Sequence, residues 1–433
     1  MSKPYLVYSA PVSTVSGYGE HARDILRGLR DSDKYDIEIV PQRWGDTPMN
    51  ALTPEDEFHM WMMERMRPMA DGAKLQLPKK PDVWIQVTVP NEFQPIGKWN
   101  IGITAGMESN VVDANWVVGM NRMDMNIVPS EHSKQSFLNS VYTAKDKNTG
   151  ETQQIKMEKP IHVLFEGFDE EIYTNKTHKL DDPIFVDEMD KIEEDFCFLF
   201  VGHWLKGDHG HDRKDVGTMI QSFLETFKGQ KKRPALVMKT SMGKFGVMDR
   251  EKIVERIRRI QKQLGDDLPN IYVLHGELTN QEMNNLYNHK KVKAMVSFTK
   301  GEGFGRPLLE FTQSGKPIIT SNWSGHIDFL NPNYTLLIDG ELKNVHKSAS
   351  WDKMILKESK WFYIDVKKAK KAMKDVFKNY KKYLELSKKQ MTENKKFTLS
   401  KMIEQLIQLF EDNQPEFPKE IELKLPKLEK LNG

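Results

Sequence analysis

Apolar residues in this chain come in short blocks separated by longer amphipathic stretches. The first block, residues 4–9 (Pro-Tyr-Leu-Val-Tyr-Ser), predicts a strand. A glycine-bearing loop over residues 15–20 follows, then a helix from about His21 to Arg30 and a second strand over Asp36–Val40. Strand, helix and strand in succession open a doubly wound α/β sheet. Further strands are predicted over 83–87, 99–104, 125–128 and 160–164. Ser130 is placed to cap the helix after Val128. Residues 54–67 predict an amphipathic helix, and the polar stretch 143–159 a surface loop or hairpin.

The acidic, proline-bearing stretch from Asp181 to Asp195 interrupts this rhythm and reads as a linker. A second series begins at Phe196, with strands predicted at about 196–201, 235–239, 271–274, 294–298 and 317–320 and helices between them. The pattern divides the chain into residues 1–180, residues 181–410 and a tail over 411–433 that alternates apolar and charged positions. A length of 433 residues suits such a division.

Composition narrows the class. With 38% hydrophobic and 29% charged residues, the chain predicts globular domains with a polar surface. The net charge of +2 gives no general attraction to nucleic acid or membrane. It is unevenly spread: residues 1–170 carry 18 basic and 24 acidic side chains, about −6, which leaves about +8 for the rest. The lysine-rich region 366–396 reads as a solvated helix face. No stretch approaches the roughly 18 apolar residues of a membrane span. The N-terminus enters a strand without a signal-peptide pattern, so a cytoplasmic location is expected. The single cysteine, Cys197, lies in an apolar run and reads as a small buried hydrophobe.

Candidate chemistry concentrates in residues 300–310, Lys-Gly-Glu-Gly-Phe-Gly-Arg-Pro-Leu-Leu-Glu. A predicted strand, a glycine turn and a helix start make an anion site, because unbonded N–H groups and the helix dipole converge there. Phosphate binding does not account for a carboxylate at that place, so Glu302 is expected to meet hydroxyls. Glu310, about two turns further on, falls on a helix face able to reach the same ligand. Phosphate and hydroxyls together point to a sugar nucleotide. Asp208, His209 and His211 invite a metal reading, but a complete ligand set is not visible and a solvated loop fits better.

Several motifs stand in a telling order: Val201-Gly-His, Arg213-Lys-Asp, Leu274-His-Gly-Glu-Leu, Leu286-Tyr, Gly301-Glu-Gly-Phe-Gly, Glu310, Ser314-Gly-Lys-Pro-Ile-Ile and Trp323-Ser-Gly-His-Ile-Asp. Through them, residues 198 to about 330 resemble the nucleotide-binding domain of retaining GT-B glycosyltransferases of family four. Ser16-Gly-Tyr-Gly-Glu-His-Ala extends the resemblance loosely into the first half, and the chain has the look of bacteriophage-encoded members. The resemblance implies an α/β GT-B fold, with two doubly wound Rossmann-like domains facing across a cleft. It implies a nucleoside diphosphate sugar as donor, UDP-linked by frequency, a hydroxyl acceptor, retention of configuration and catalysis without a metal cofactor.

By the same resemblance, Glu302 would hold sugar hydroxyls and Glu310 the ribose diol. The backbone amides of Gly303, Phe304, Gly305 and Arg306 would line the sugar and phosphate. Lys214 takes the position of a lysine on the diphosphate. The family's arginine position holds His203 instead, so either His203 donates a hydrogen bond, Arg213 substitutes, or turnover is weak. Gly17 and Gly19 would lie in a loop near the donor diphosphate or the acceptor. Lys239, by its place at a strand end, reads either as a second phosphate contact or as a surface lysine. Thr104, Glu108 and His132 are expected at strand ends facing the cleft, and His326 near the base or at a helix end. The Met- and Trp-rich segment 58–69 reads as a buried helix face rather than an acceptor lip. The acceptor is a glycan or other hydroxyl compound or, more sharply, a hydroxymethylated base in DNA. The acidic first half counts against DNA, whose phosphates call for cationic contacts. The rival reading is a GT-B-shaped sugar-nucleotide-binding protein without turnover.

Overall fold

The computed structural model describes residues 3–67, 75–145, 150–180, 184–243 and 245–417. The first domain runs β1 (Tyr5–Ala10), α1 (Gly17–Asp31), β2 (Asp36–Pro41), α2 (Glu57–Arg65), β3 (Val83–Val87), β4 (Trp99–Ile103), α3 (Ala114–Asn121), β5 (Met125–Val128) and α4 (Glu131–Leu138). A small antiparallel hairpin, β6 (Tyr142–Lys145) and β7 (Thr152–Ile155), and then β8 (Ile161–Val163) complete it. Its six-stranded parallel sheet has the order β2-β1-β3-β4-β5-β8.

After the short helix α5 (Ile184–Asp190), the second domain runs β9 (Cys197–His203), α6 (Val216–Phe227), β10 (Ala235–Ser241), α7 (Val247–Leu264), β11 (Ile271–Leu274), α8 (Asn280–Asn288), β12 (Val292–Val296), α9 (Arg306–Thr312), β13 (Ile318–Ser321) and β14 (Leu336–Ile338). Its parallel sheet has the order β11-β10-β9-β12-β13-β14. A hairpin, β15 (Gly340–Asn344) with β16 (Lys360–Ile364), precedes the helices α10 (Val366–Lys378), α11 (Tyr380–Glu393) and α12 (Leu399–Asn413).

The strand residues explain why both sheets are covered on both faces. Along β1, Leu6, Tyr8 and Ala10 enter one core cluster, while Tyr5 and Val7 enter another on the opposite face. Along β9, Phe198 and Phe200 point one way and Cys197 and Leu199 the other. A strand apolar on both faces needs a layer of helices on each side, which is the parallel doubly wound arrangement. Each fully buried phenylalanine in these layers contributes about 1.5–3 kcal/mol. Two such Rossmann-like domains make this an α/β protein of the GT-B fold. Among the described residues no helix is long and apolar enough to cross a membrane.

Three expectations need correction. The first helix begins at Gly17 rather than His21, because Ser16 caps it by accepting from the Gly19 N–H at 3.0 Å. The glycines expected in a loop therefore sit in a helical turn. Second, the region assigned to a linker holds α5, whose Phe185 and Met189 are buried in the second domain. Third, α12 was expected with the second domain as far as residue 410. Its Leu399, Met402, Leu406 and Phe410 instead enter the core of the first domain against α1. An amphipathic helix has an apolar stripe but no label for its partner, so the chain's return to the first domain is a tertiary choice. Residues 418–433 of the expected tail lie outside the described residues.

Candidate active site between the domains

In a doubly wound sheet, ligands bind beyond the carboxyl ends of the strands, where the strand order reverses. In the second sheet that point falls between β9 and β12. His203 ends β9, and the loop carrying Glu302 follows β12. In the first sheet the reversal falls between β1 and β3, and the loop after β1 leads into Ser16 and Gly17. The two switch points thus direct the candidate residues toward one interdomain region.

Glu302 is the centre of the first cluster. Its carboxylate accepts from Lys214 Nζ on one oxygen and from Arg213 Nη1, at 3.2 Å, on the other. Arg213 also donates to the Gly301 carbonyl at 3.1 Å and lies 3.5 Å from the Glu108 carboxylate of the first domain. Burial alone would raise the Glu302 carboxyl, but Lys214 and Arg213 outweigh it and hold it at about 2. While it faces these two cations Glu302 is an ionised acceptor. His203 stands nearby, its Nδ1 2.7 Å from the Ser241 hydroxyl. Burial, helped by Lys214, Arg213 and Lys239, lowers the His203 imidazole to about 4 and keeps it neutral. Lys239 donates to the Gly276 carbonyl at 2.7 Å and lies over the Phe245 ring; burial brings it down to about 8.

The glycine turn has a clear steric reason. A Cβ on Gly301 would stand 1.8 Å from the Glu108 carbonyl oxygen, and one on Gly303 2.1 Å from that of Ala105. Both glycines let the second-domain loop rest directly on the 105–108 loop of the first domain. Gly305 has φ of 98° and caps α9. Among the described residues the amides of Gly303, Phe304 and Gly305 donate to no protein group, so three N–H donors stay available beside Glu302.

The second cluster surrounds Arg306. Its Nη1 donates to Asp24 at 2.6 Å and its Nε to Glu310 at 3.0 Å, while Nη2 lies 3.8 Å from Glu20. Asn280 donates to Glu20 at 2.6 Å, and Tyr287 to Glu310 at 3.4 Å. Glu166, after β8, is buried. Burial raises Glu310 to about 7, against Arg306 and with help from Glu20. Burial likewise raises Glu166 to about 8. Four carboxyls around one guanidinium do not all ionise together; burial raises Asp24 as well, whereas Arg306 and Arg23 lower Glu20 against its burial.

Other cross-domain contacts close the cleft. Ser130 and Ser133 both donate to the Gly303 carbonyl, at 2.5 and 3.2 Å. The Glu131 N–H meets Asp328 at 2.8 Å, and the Lys360 N–H meets Asn110 at 2.6 Å. Ser130 caps α4 as expected, and its hydroxyl serves the interface as well.

The remaining candidates have these places. Gly17 is exposed at the start of α1, and a Cβ there would meet nothing within 4 Å. Gly19 packs on Thr14, whose carbonyl oxygen would lie 2.4 Å from an added Cβ, so its role is helix packing. Thr104 shares a hydrogen bond with Tyr18 at 2.8 Å, and His132 meets Trp323 edge-on. His326 is buried, with Nε2 2.7 Å from the Ser321 carbonyl. His209 bonds to Gln221, His211 stacks on His346, and Asp208 uses its backbone N–H on Ser348, so the three do not converge. Phe58 and Met62 of the 58–69 segment are buried in the first core, while Met69 lies outside the described residues. Sequence reasoning assigned no role to Glu20 and Tyr287, although both lie in motifs that carry the resemblance, and passed over Asp24 and Glu166. The acids on α1 carried one usable signal, since Glu20 and Asp24 stand four apart and share a helix face.

Residues 258–360 match the family described as Glycosyl transferases group 1. That segment contains Glu302, Arg306 and Glu310. With the GT-B fold, the match supports a group 1 glycosyltransferase. A search of the curated proteins gives no match. Among solved structures, the chain is similar to sucrose-phosphate synthase from Thermosynechococcus elongatus at 12% identity and a TM-score of 0.60, covering 95% of this chain and 98% of that one. It is similar to a UDP-forming α,α-trehalose-phosphate synthase from Burkholderia xenovorans at 12% identity and a TM-score of 0.60, covering 96% and 100%. Anabaena HepE in complex with UDP and glucose matches at 11% identity and a TM-score of 0.56, covering 94% and 100%. At such identities these likenesses show the shared fold.

Proposed function

We propose that this protein transfers a sugar from a UDP-linked donor to a hydroxyl acceptor with retention of configuration. The observation that carries this reading is the Glu302 cluster. One carboxylate held near a pKa of about 2 faces two cations and three available amides at a strand–helix turn. When a donor enters, its diphosphate competes for Arg213 and Lys214, and the released Glu302 accepts from sugar hydroxyls. The fixed cations then stabilise the negative charge that grows on the departing diphosphate. Positive charge built into the protein at that place is why we keep the expectation of metal-independent catalysis. Neutral His203, bonded to Ser241, supplies a hydrogen bond where the resembled family has an arginine, and Arg213 supplies the charge.

Retention is supported by the state of the neighbouring acids. Glu108 lies against Arg213 and Asp24 against Arg306, while Glu166 keeps its proton up to about pH 8. None is a free nucleophile, which suits a reaction in which the leaving phosphate accepts the acceptor's proton. UDP is chosen because the similar solved structures include Anabaena HepE in complex with UDP and glucose and a UDP-forming trehalose-phosphate synthase. Glu310 reaches a ribose diol in this reading by exchanging its bond to Arg306.

The test is release of nucleoside diphosphate from UDP-, GDP- and ADP-linked sugars in the presence of varied hydroxyl acceptors. Release with a UDP-sugar is the expected result. Binding of a sugar nucleotide with no release under any combination would favour the binding protein without turnover.

A further inference from the structure

Lys300, two residues before Glu302, has no exposed surface at all. Lysine is almost never fully buried unless paired. Its Nζ donates to the Asp212 carbonyl at 2.7 Å and lies 3.0 Å from the Asp215 carboxylate. The ammonium also lies over the Tyr363 ring, 4.8 Å from its centroid. The Lys300 backbone adds to this grip: its N–H donates to the Arg213 carbonyl at 2.8 Å, and its carbonyl accepts from the Phe362 N–H at 3.0 Å. Lys300 therefore holds the segment 212–215 at Asp212, Arg213 and Asp215. That segment carries Arg213 and Lys214, and it ends on a strained backbone, since Asp215 has φ of 49°.

We infer that Lys300 is a positioning residue that sets Arg213 and Lys214 in place for the donor diphosphate, acting through Asp212 and Asp215. This rests on the donor-site reading given above. The competing explanation is that Lys300 only neutralises buried Asp215. The two differ in what a charge-balanced replacement does. Lys300→Met with Asp215→Asn removes both charges, so it restores neutrality without restoring the grip on the loop.

The experiment titrates UDP, GDP and ADP calorimetrically into the wild-type protein, then the tightest of the three into K300M and K300M/D215N, with thermal melting of each. In K300M the melting temperature should fall and the dissociation constant should rise about tenfold, the scale of one lost charge-assisted hydrogen bond. In the double variant the melting temperature should recover while binding stays weak. Recovery of both in the double variant, or wild-type binding by K300M, would overturn the inference. If K300M does not fold, the double variant carries the test. If neither folds, the lysine is a requirement of the fold and the inference is overturned. Wild-type protein that binds none of the three nucleotides removes the donor-site reading and this inference with it, a result distinct from any difference between variants.

Discussion

Glu302 and Glu310 lie on one loop and its helix, and both are buried, yet their protons behave oppositely. Glu302 faces two cations and is held at about 2. Glu310 shares a single guanidinium with Asp24, Glu20 and Glu166 and rises to about 7. Burial is common to the two, so the count of neighbouring charges decides the outcome. The lesson is a division of labour along one short segment. Around Glu302 the second domain keeps a surplus of positive charge, suited to a diphosphate. Around Arg306 the two domains meet over a surplus of acid, with Asp24 and Glu20 supplied by α1.

The largest break in this comparison comes from removing the shared cation. Arg306→Met would leave Asp24 and Glu310 buried without their partner. The expected loss is about 3–5 kcal/mol of unfolding free energy in denaturant titration, because each acid loses its compensation in the interior. A loss under about 1 kcal/mol, the scale of an exposed pair, would mean that the cluster is solvated and the comparison unsound.

A smaller effect sharpens it. Glu166 has a folded value of about 8 against 4.5 for the free side chain. Its raised value means that the folded state binds the proton more tightly than the unfolded state. The stabilisation is complete below 4.5 and is lost as pH rises through about 8. Melting temperature should therefore fall between those limits, and Glu166→Gln should flatten the fall. Glu302 works in the other direction: its contribution is present above 4.5 and is lost as pH drops toward 2. An unchanged slope in the Glu166→Gln protein would show that burial does not raise this acid as described.

Much of this was legible in the sequence, for reasons that differ by region. The strands announced themselves because blocks such as Phe198–Phe200 are apolar on both faces, which only a covered parallel sheet accommodates. Glu302 and the glycines around it were legible through their motif. The motif's steric reason was not, because Gly301 and Gly303 are fixed by the carbonyls of Glu108 and Ala105 in the other domain. Lys300 opens the 300–310 stretch with no role legible from its neighbours. Its burial arises only when β12, β16 and the 212–215 loop come together. Glu20 and Asp24 acquire their partner only when Arg306 at the start of α9 is laid against α1. In each missed case the missing information was a partner distant in sequence.

The central claim is that Glu302, held by Arg213 and Lys214, works on the donor sugar. Turnover of Glu302→Gln with the best UDP-sugar, measured beside its thermal melt, tests it most directly. Gln keeps the shape of the side chain but accepts less strongly and no longer offsets the two cations. The account predicts a fall in kcat of about 10²–10³ with the fold intact. A folded Glu302→Gln protein that turns over at the wild-type rate would contradict it.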